Sequence, residues 1–175
     1  MINSLPELAQ SSLQHTLTDP DHSLFNPTHF SEALQPFLNR RAGAFVTLKQ
    51  HGQLRGCIGT IQPVQAHLIQ EVIVNSVSAG LRDPRFPPVQ RQELPTLQFS
   101  VSVLHPPEPI ESTSQLDPHR YGVIVSTPHK RGLLLPQLEG INTVEEQLFY
   151  ARQKAGIFSD ESVHLERFLV DFYDK

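Results

Sequence analysis

Leu5, Leu8, Leu13 and Leu17 fall near one face of a helix, and Ser4-Leu5-Pro6-Glu7 is fitted to begin it. Ser4 is placed to cap, Glu7 to complete a capping box, and Pro6 occupies the first turn, where a missing N–H does no harm. Asp19-Pro20-Asp21 predicts the end of this helix, with a loop to Thr28. Phe30, Leu34, Phe37 and Leu38 predict a short helix over about 30–40. Ala44 to Lys49 is rich in β-formers and predicts a strand. His51-Gly52 reads as a two-residue turn into a second strand through Thr60. That hairpin sets Phe45 opposite Ile58 and Val46 opposite Cys57, with apolar residues on both faces and a half-buried thiol.

Pro63 is expected to open the next helix, running to about Leu81 on a stripe of Val64, Leu68, Val72, Ile73 and Val77. The hairpin would then feed almost directly into a helix N-terminus, a setting that attracts anions. Seven of the chain's 15 prolines lie from Pro84 to Pro109 and bracket one strand, in which Leu97, Phe99, Val101 and Val103 alternate inward. A polar loop over 112–120 leads to strands at 121–126 and 132–135, joined across Thr127 to Arg131. Thr143-Val144-Glu145-Glu146 is a second capping box, for a helix carrying Val144, Leu148, Ala151 and Ala155 on one face and ending at Gly156. Phe168, Val170 and Phe172 alternate in a last strand. The order of elements gives an α+β fold, an antiparallel or mixed sheet flanked by helices, with no internal repeat.

Composition narrows this picture. At 175 residues, 38% hydrophobic and 18% charged, the chain suits one folded domain of one or two lobes. A formal net charge of −4 speaks against a general nucleic-acid binder, which needs a basic face. The single cysteine fits a reducing compartment, and the cytoplasm is the expected location. The first residues lack a basic start followed by an apolar run, and nothing approaches 18 consecutive apolar residues, so neither a signal peptide nor a membrane span is expected.

The chemistry concentrates in Leu54-Arg55-Gly56-Cys57-Ile58-Gly59-Thr60. On a regular strand Arg55 and Cys57 share a face, roughly 7 Å apart, while Leu54 and Ile58 turn to the core. A guanidinium beside a thiol favours the thiolate, which makes Cys57 a candidate nucleophile or acid/base and Arg55 its activator and anion holder. The plainer alternative is a cysteine packed as a small hydrophobe. Gly56 and Gly59 allow a ligand close approach, and with Thr60 they are candidate substrate-binding positions. Arg85 is a second candidate anion contact, or a residue that pairs with Asp83 or Glu93 and ties down the proline-rich loop. Asp83 is a turn former, a group that orients Arg55, or a base. Among the nine histidines, His105 is the candidate base for Cys57 by position, at the end of an inward-facing strand. His15, His22 and His29 recur every seven residues, but Pro20 and Pro27 break any shared helical face, and zinc-like spacing is missing. No Walker loop, GxGxxG or GxSxG occurs, and no cofactor is assigned. His129-Lys130-Arg131 reads as a solvated hairpin tip.

Several separated segments together resemble the AMMECR family. They are 44–49 (Ala-Phe-Val-Thr-Leu-Lys), 54–60 (Leu-Arg-Gly-Cys-Ile-Gly-Thr), 83–88 (Asp-Pro-Arg-Phe-Pro-Pro), 100–104 (Ser-Val-Ser-Val-Leu), 134–137 (Leu-Leu-Pro-Gln) and 154–156 (Lys-Ala-Gly), in the family's order over about residues 5–173. The Leu-Arg-Gly-Cys-Ile-Gly run is its hallmark. The resemblance implies a two-lobed α/β domain, with a smaller lobe from segments near 84–140 and the hallmark residues lining a cleft. It implies no settled reaction. It also implies partners: a Memo-like protein and a radical S-adenosylmethionine enzyme, the companions of this family in the AmmeMemoRadiSam system. Members often carry tryptophans and a cysteine around Lys-Ala-Gly, whereas here Arg152-Gln153 precede Lys154 and no tryptophan occurs. Three functions follow: an enzyme or modification factor using Cys57 and Arg55 on an anionic substrate, a non-catalytic binding module, or, against the net charge, a weak nucleic-acid-binding regulator.

Overall fold

The computed structural model describes residues 1–19 and 30–174. The chain forms two compact units, one of residues 1–104 and 171–175, the other of residues 105–170. The fold is α+β, as the order of elements predicts, but it holds two antiparallel sheets.

The first unit begins with α1 (Leu5–Thr18), capped by Ser4, whose hydroxyl accepts from Glu7 N–H. Glu7 reaches back to Asn3 N–H at 2.8 Å, one residue further out than a reciprocal box requires. His22 and His29 of the heptad spacing, and the proposed end of this helix at Pro20 and Asp21, lie outside the described residues. The helix expected over 30–40 is instead a 3-10 turn, Glu32–Leu34, and one α turn, α2 (Gln35–Leu38). Pro36 stands in that turn and lacks the N–H that a longer helix would use. Phe30 and Leu34 are nevertheless buried, and Phe37 and Leu38 pack on the core.

Strands β1 (Ala44–Gln50) and β2 (Gln53–Gly59) form the expected hairpin. His51 and Gly52 both take positive φ, 51° and 78°, which matches the twist of a two-residue hairpin turn. The register differs from expectation: Thr47 faces Cys57, Val46 faces Ile58 and Phe45 faces Gly59. Lys49 still pairs with Leu54 while Leu48 pairs with Gly56, so Arg55 is an extra, bulged residue. The bulge moves every later residue of β2 by one position. It also puts Leu54 at 41% exposure on Lys49's face, not in the core.

Next comes α3 (Leu68–Leu81), which starts after Pro63 and leaves Val64 67% exposed. The expected direct passage from strand into helix is therefore a loop. Its buried face carries Leu68, Ile69 and Val72 together with Glu71, Asn75, Ser76 and Ala79. β3 (Leu97–Leu104) pairs with β1, and the sheet order is β2-β1-β3-β8, where β8 is Val170–Asp174. Ala44, Val46, Leu48, Phe99, Val101 and Val103 face α1 and α3 in one core.

The second unit contains β4 (Glu108–Ile110), β5 (Gly122–Ser126), β6 (Arg131–Leu134), α4 (Val144–Ala155) and β7 (His164–Phe168). Its sheet order is β4-β7-β5-β6. α4 begins with the reciprocal box of Thr143 and Glu146 and stops at Gly156, as predicted. Val144, Leu148, Ala151 and Ala155 pack on Val123, Val125 and Leu134. The single final strand read from the sequence is two strands, since β7 pairs with β5 and β8 joins the other sheet. Alternation cannot register that change of sheet, because apolar residues continue across Leu169.

Candidate functional site

The site is built from a strand edge. β2 is the outermost strand of its sheet, so part of its backbone has no neighbouring strand. At Cys57 those groups are taken by Asp83 and Arg85. Asp83 Oδ2 accepts from Cys57 N–H at 2.9 Å, and Arg85 Nη2 donates to the Cys57 carbonyl at 3.1 Å. Both backbone polar groups of one residue are thus closed by a carboxylate and a guanidinium that bind each other.

Local sequence explains why that clamp forms. Asp83-Pro84-Arg85-Phe86 is a β-turn, with Phe86 N–H donating to the Asp83 carbonyl at 3.2 Å and proline in its favoured second place. The Asp83 side chain accepts from Arg85 N–H at 3.1 Å, which folds residue 85 back over residue 83. Arg85 Nε and Nη2 then reach the carboxylate at 2.9 and 2.7 Å. Asp83 is 4% exposed. Its pKa is held far below the ordinary carboxylate range, chiefly by the Arg85 side chain; burial opposes this, and the Cys57 and Arg85 N–H groups assist. The Arg85 pKa is raised, first by hydrogen bonding to Asp83 and then by the Asp83 charge, while burial opposes this.

Gly56 lets the clamp close. A Cβ there would run into the Ala79 carbonyl oxygen of α3, so β2 and the end of α3 approach at backbone contact. That approach brings Asp83, just beyond α3, within reach of the strand edge.

Arg55 does not serve the thiol as expected. The bulge releases it from the strand's alternation, and its Nε and Nη2 bind both oxygens of Glu93 at 2.8 and 3.1 Å. Glu93 lies in a 3-10 helix, Arg91–Thr96, and also accepts from Gln90 N–H at 2.7 Å. Its pKa is lowered, first by Arg55. Asp83 therefore orients Arg85, not Arg55. The cation adjoining Cys57 is Arg85.

The Cys57 sulfur is half-buried and contacts the Thr47 hydroxyl at 3.2 Å. Thr47 faces Ser100 on its other side, so thiol and hydroxyls form a row across three strands. Gly59 lies against the Phe45 ring. His105 belongs to the second unit, where its backbone N–H donates to the Leu169 carbonyl. The polar contacts of Cys57 among the described residues are with Thr47, Asp83 and Arg85. The structure thus brings together Cys57, Asp83 and Arg85 and directs Arg55 to Glu93, while His105 belongs to the other unit.

Thr60 is the hub of a second cluster. Its hydroxyl donates to Glu71 Oε1 at 2.6 Å, and its N–H donates to the Ala44 carbonyl. Glu71 Oε2 accepts from Val64 and Gln65 N–H at 3.0 and 2.9 Å, while Asn75 Nδ2 donates to the Ala44 carbonyl at 2.9 Å. This buried carboxylate holds the loop ahead of α3. Glu71 and Asn75 stand four apart on the face of Val72 and Ala79, polar residues inside an apolar stripe, which is the signal that could have found them. Glu71→Gln is expected to cost about 2 kcal/mol, because an amide nitrogen would face a donor. Urea unfolding checks this, and a loss below about 0.5 kcal/mol would refute the clasp.

Among the described residues no group of three or more His, Cys, Asp and Glu is placed to hold a metal ion, and no helix is long and apolar enough to cross a membrane.

The AMMECR1 family model matches residues 6–173. A protein of Thermotoga maritima is 51% identical over 141 residues, covering 79% of this chain and 81% of the relative. A protein of Clostridium acetobutylicum is 47% identical over 164 residues, which are 94% of this chain but only 34% of that longer relative. The crystal structure of an uncharacterised protein from Pyrococcus horikoshii superimposes with a TM-score of 0.85 at 31% identity, covering 98% of this chain and 89% of that one.

Proposed function

Because the chain belongs to the AMMECR1 family, we propose that it is a non-catalytic binding module that docks an anionic group of a partner on Arg85, beside Cys57. The observation carrying this reading is the posture of Arg85. Asp83 and the Cys57 carbonyl hold its Nε and Nη2, yet its side chain is 55% exposed, so the outer side of a fixed guanidinium faces solvent. A guanidinium already ordered binds a carboxylate or phosphate with little further loss of side-chain freedom. The thiol alongside meets a hydroxyl and no base among the described residues, which suits contact better than base-assisted attack. The partner we assign is the Memo-like protein of the family's gene company, in the cytoplasm, where a lone cysteine stays a free thiol. The longer Clostridium relative, in which this domain is joined to further sequence, supports a module that works beside another domain.

Calorimetric titration with a purified Memo-like protein tests the proposal. Arg85→Gln is expected to weaken binding about tenfold, Arg85→Lys less, and Cys57→Ala about twofold at most. Undiminished binding by Arg85→Gln would overturn it. One observation favours catalysis instead: Cys57 is half-buried, and the Arg85 guanidinium is fixed on its carbonyl. Rapid alkylation of Cys57 well below the ordinary thiol pKa of about 8.5 would move the reading to an enzyme with Arg85, in place of Arg55, as activator.

A further inference from the structure

The face of the first sheet turned away from α1 and α3 carries a groove of about 400 Å³, lined by Lys49, Leu97, Gln98, Phe99, Ser100 and Asp174. Strand register fixes which side chains stand over it. Leu48 and Phe99 are partners directed to the core, so the neighbouring pair Lys49 and Gln98 points to the opposite face, as does Ser100 beside Thr47. On β8, Tyr173 packs with the core and meets the Phe37 ring edge-on at 5.9 Å. Asp174 therefore turns to the same face as Lys49. β1 and β8 flank β3, which places Lys49 and Asp174 two strand spacings apart, about 10 Å, with Gln98 and Ser100 on the strand between.

Among the described residues, the side chains of Lys49, Gln98, Ser100 and Asp174 have no hydrogen bond or ion pair. An ammonium and a carboxylate thus oppose each other across a polar floor without meeting. The geometry points to a binding site for a small zwitterion of amino-acid or dipeptide size, its carboxylate on Lys49, its ammonium on Asp174, and its polar middle on Gln98 and Ser100. An anion alone would be repelled by Asp174 and a cation alone by Lys49, so the pair selects a ligand bearing both charges. The charged groups of an amino acid or a dipeptide lie within roughly 7 Å of one another, a span that the long Lys49 side chain can meet by changing rotamer. Of the row that includes Cys57 this site shares only Ser100, and it uses neither Asp83 nor Arg85.

The test is an amide chemical-shift titration of the whole chain with L-alanyl-L-alanine and, separately, L-alanine. Saturable shifts at Gln98 and Ser100 are expected for at least one, and the tighter of the two identifies the ligand's size. N-acetylation of the ligand is expected to weaken binding about tenfold in the wild type and to make little difference in Asp174→Asn. Amidation of its carboxyl is expected to act in the same way through Lys49→Gln. Arg85→Gln is expected to leave the titration unchanged, so the failure of one site is read separately from failure of the other. The absence of saturable shifts up to about 10 mM would overturn the inference, as would free and doubly blocked dipeptides that bind equally.

Discussion

Asp83→Asn is expected to destabilise the first unit by about 3 kcal/mol at neutral pH. The Asp83 carboxylate is nearly fully buried and receives Cys57 N–H, Arg85 N–H and the Arg85 guanidinium. An asparagine keeps one acceptor, points an amide nitrogen at donors, and leaves the Arg85 charge unmatched. The effect carries a pH signature. Its folded pKa lies far below the unfolded value of about 3.9, so the unfolded chain takes up the proton first as pH falls. The stabilisation is complete above the unfolded pKa and is lost as pH falls toward the folded one. The gap between wild type and Asp83→Asn should therefore shrink by about 1 kcal/mol between pH 5 and pH 3. Chemical denaturation of both proteins across that range measures it. A gap that stays constant with pH would show that the carboxylate's charge does not hold the strand edge.

Gly56→Ala is expected to cost about 3 kcal/mol, at the upper end for an overpacked core. The added methyl would meet the Ala79 carbonyl oxygen, which belongs to a helix backbone, with the Leu48 Cδ1 atom at 3.3 Å on another side. A flexible side chain could swing away; a helical carbonyl moves only with its helix. Pushing α3 from β2 also withdraws Asp83 from Cys57, so amide exchange at Cys57 should accelerate along with the loss of stability. A shift in denaturant midpoint with an unchanged slope would report stability alone. A loss below about 0.5 kcal/mol would mean that the helix yields easily and that Gly56 does not set the clamp.

These two residues show how much of the site was legible. The importance of 54–60 follows from its own residue types, and the Asp83-Pro84-Arg85 turn follows from short-range rules. What joins them is the packing of α3 on β2 at a glycine, which neither segment announces. Arg55 shows the opposite failure. Alternation placed it beside Cys57, but one bulged residue carried its guanidinium to Glu93, which is remote in sequence. A bulge is a property of a strand and its partner together, so a single strand's pattern cannot register it.

By itself, the sequence determined the elements whose signals are local: the capped ends of α1 and α4, the His51-Gly52 turn, the inward alternation of β3 and the α+β order. Caps, turns and periodicity act over a few residues, and their physics is complete within that span. The tertiary structure decided the division of the last strand between two sheets, the one-residue shift of the hairpin, the late start of α3 under Glu71, and the pairing of Asp83 with Arg85 and Arg55 with Glu93. Each of these depends on which distant group arrives to satisfy a buried charge or an open strand edge, and that choice is made by packing across the whole unit.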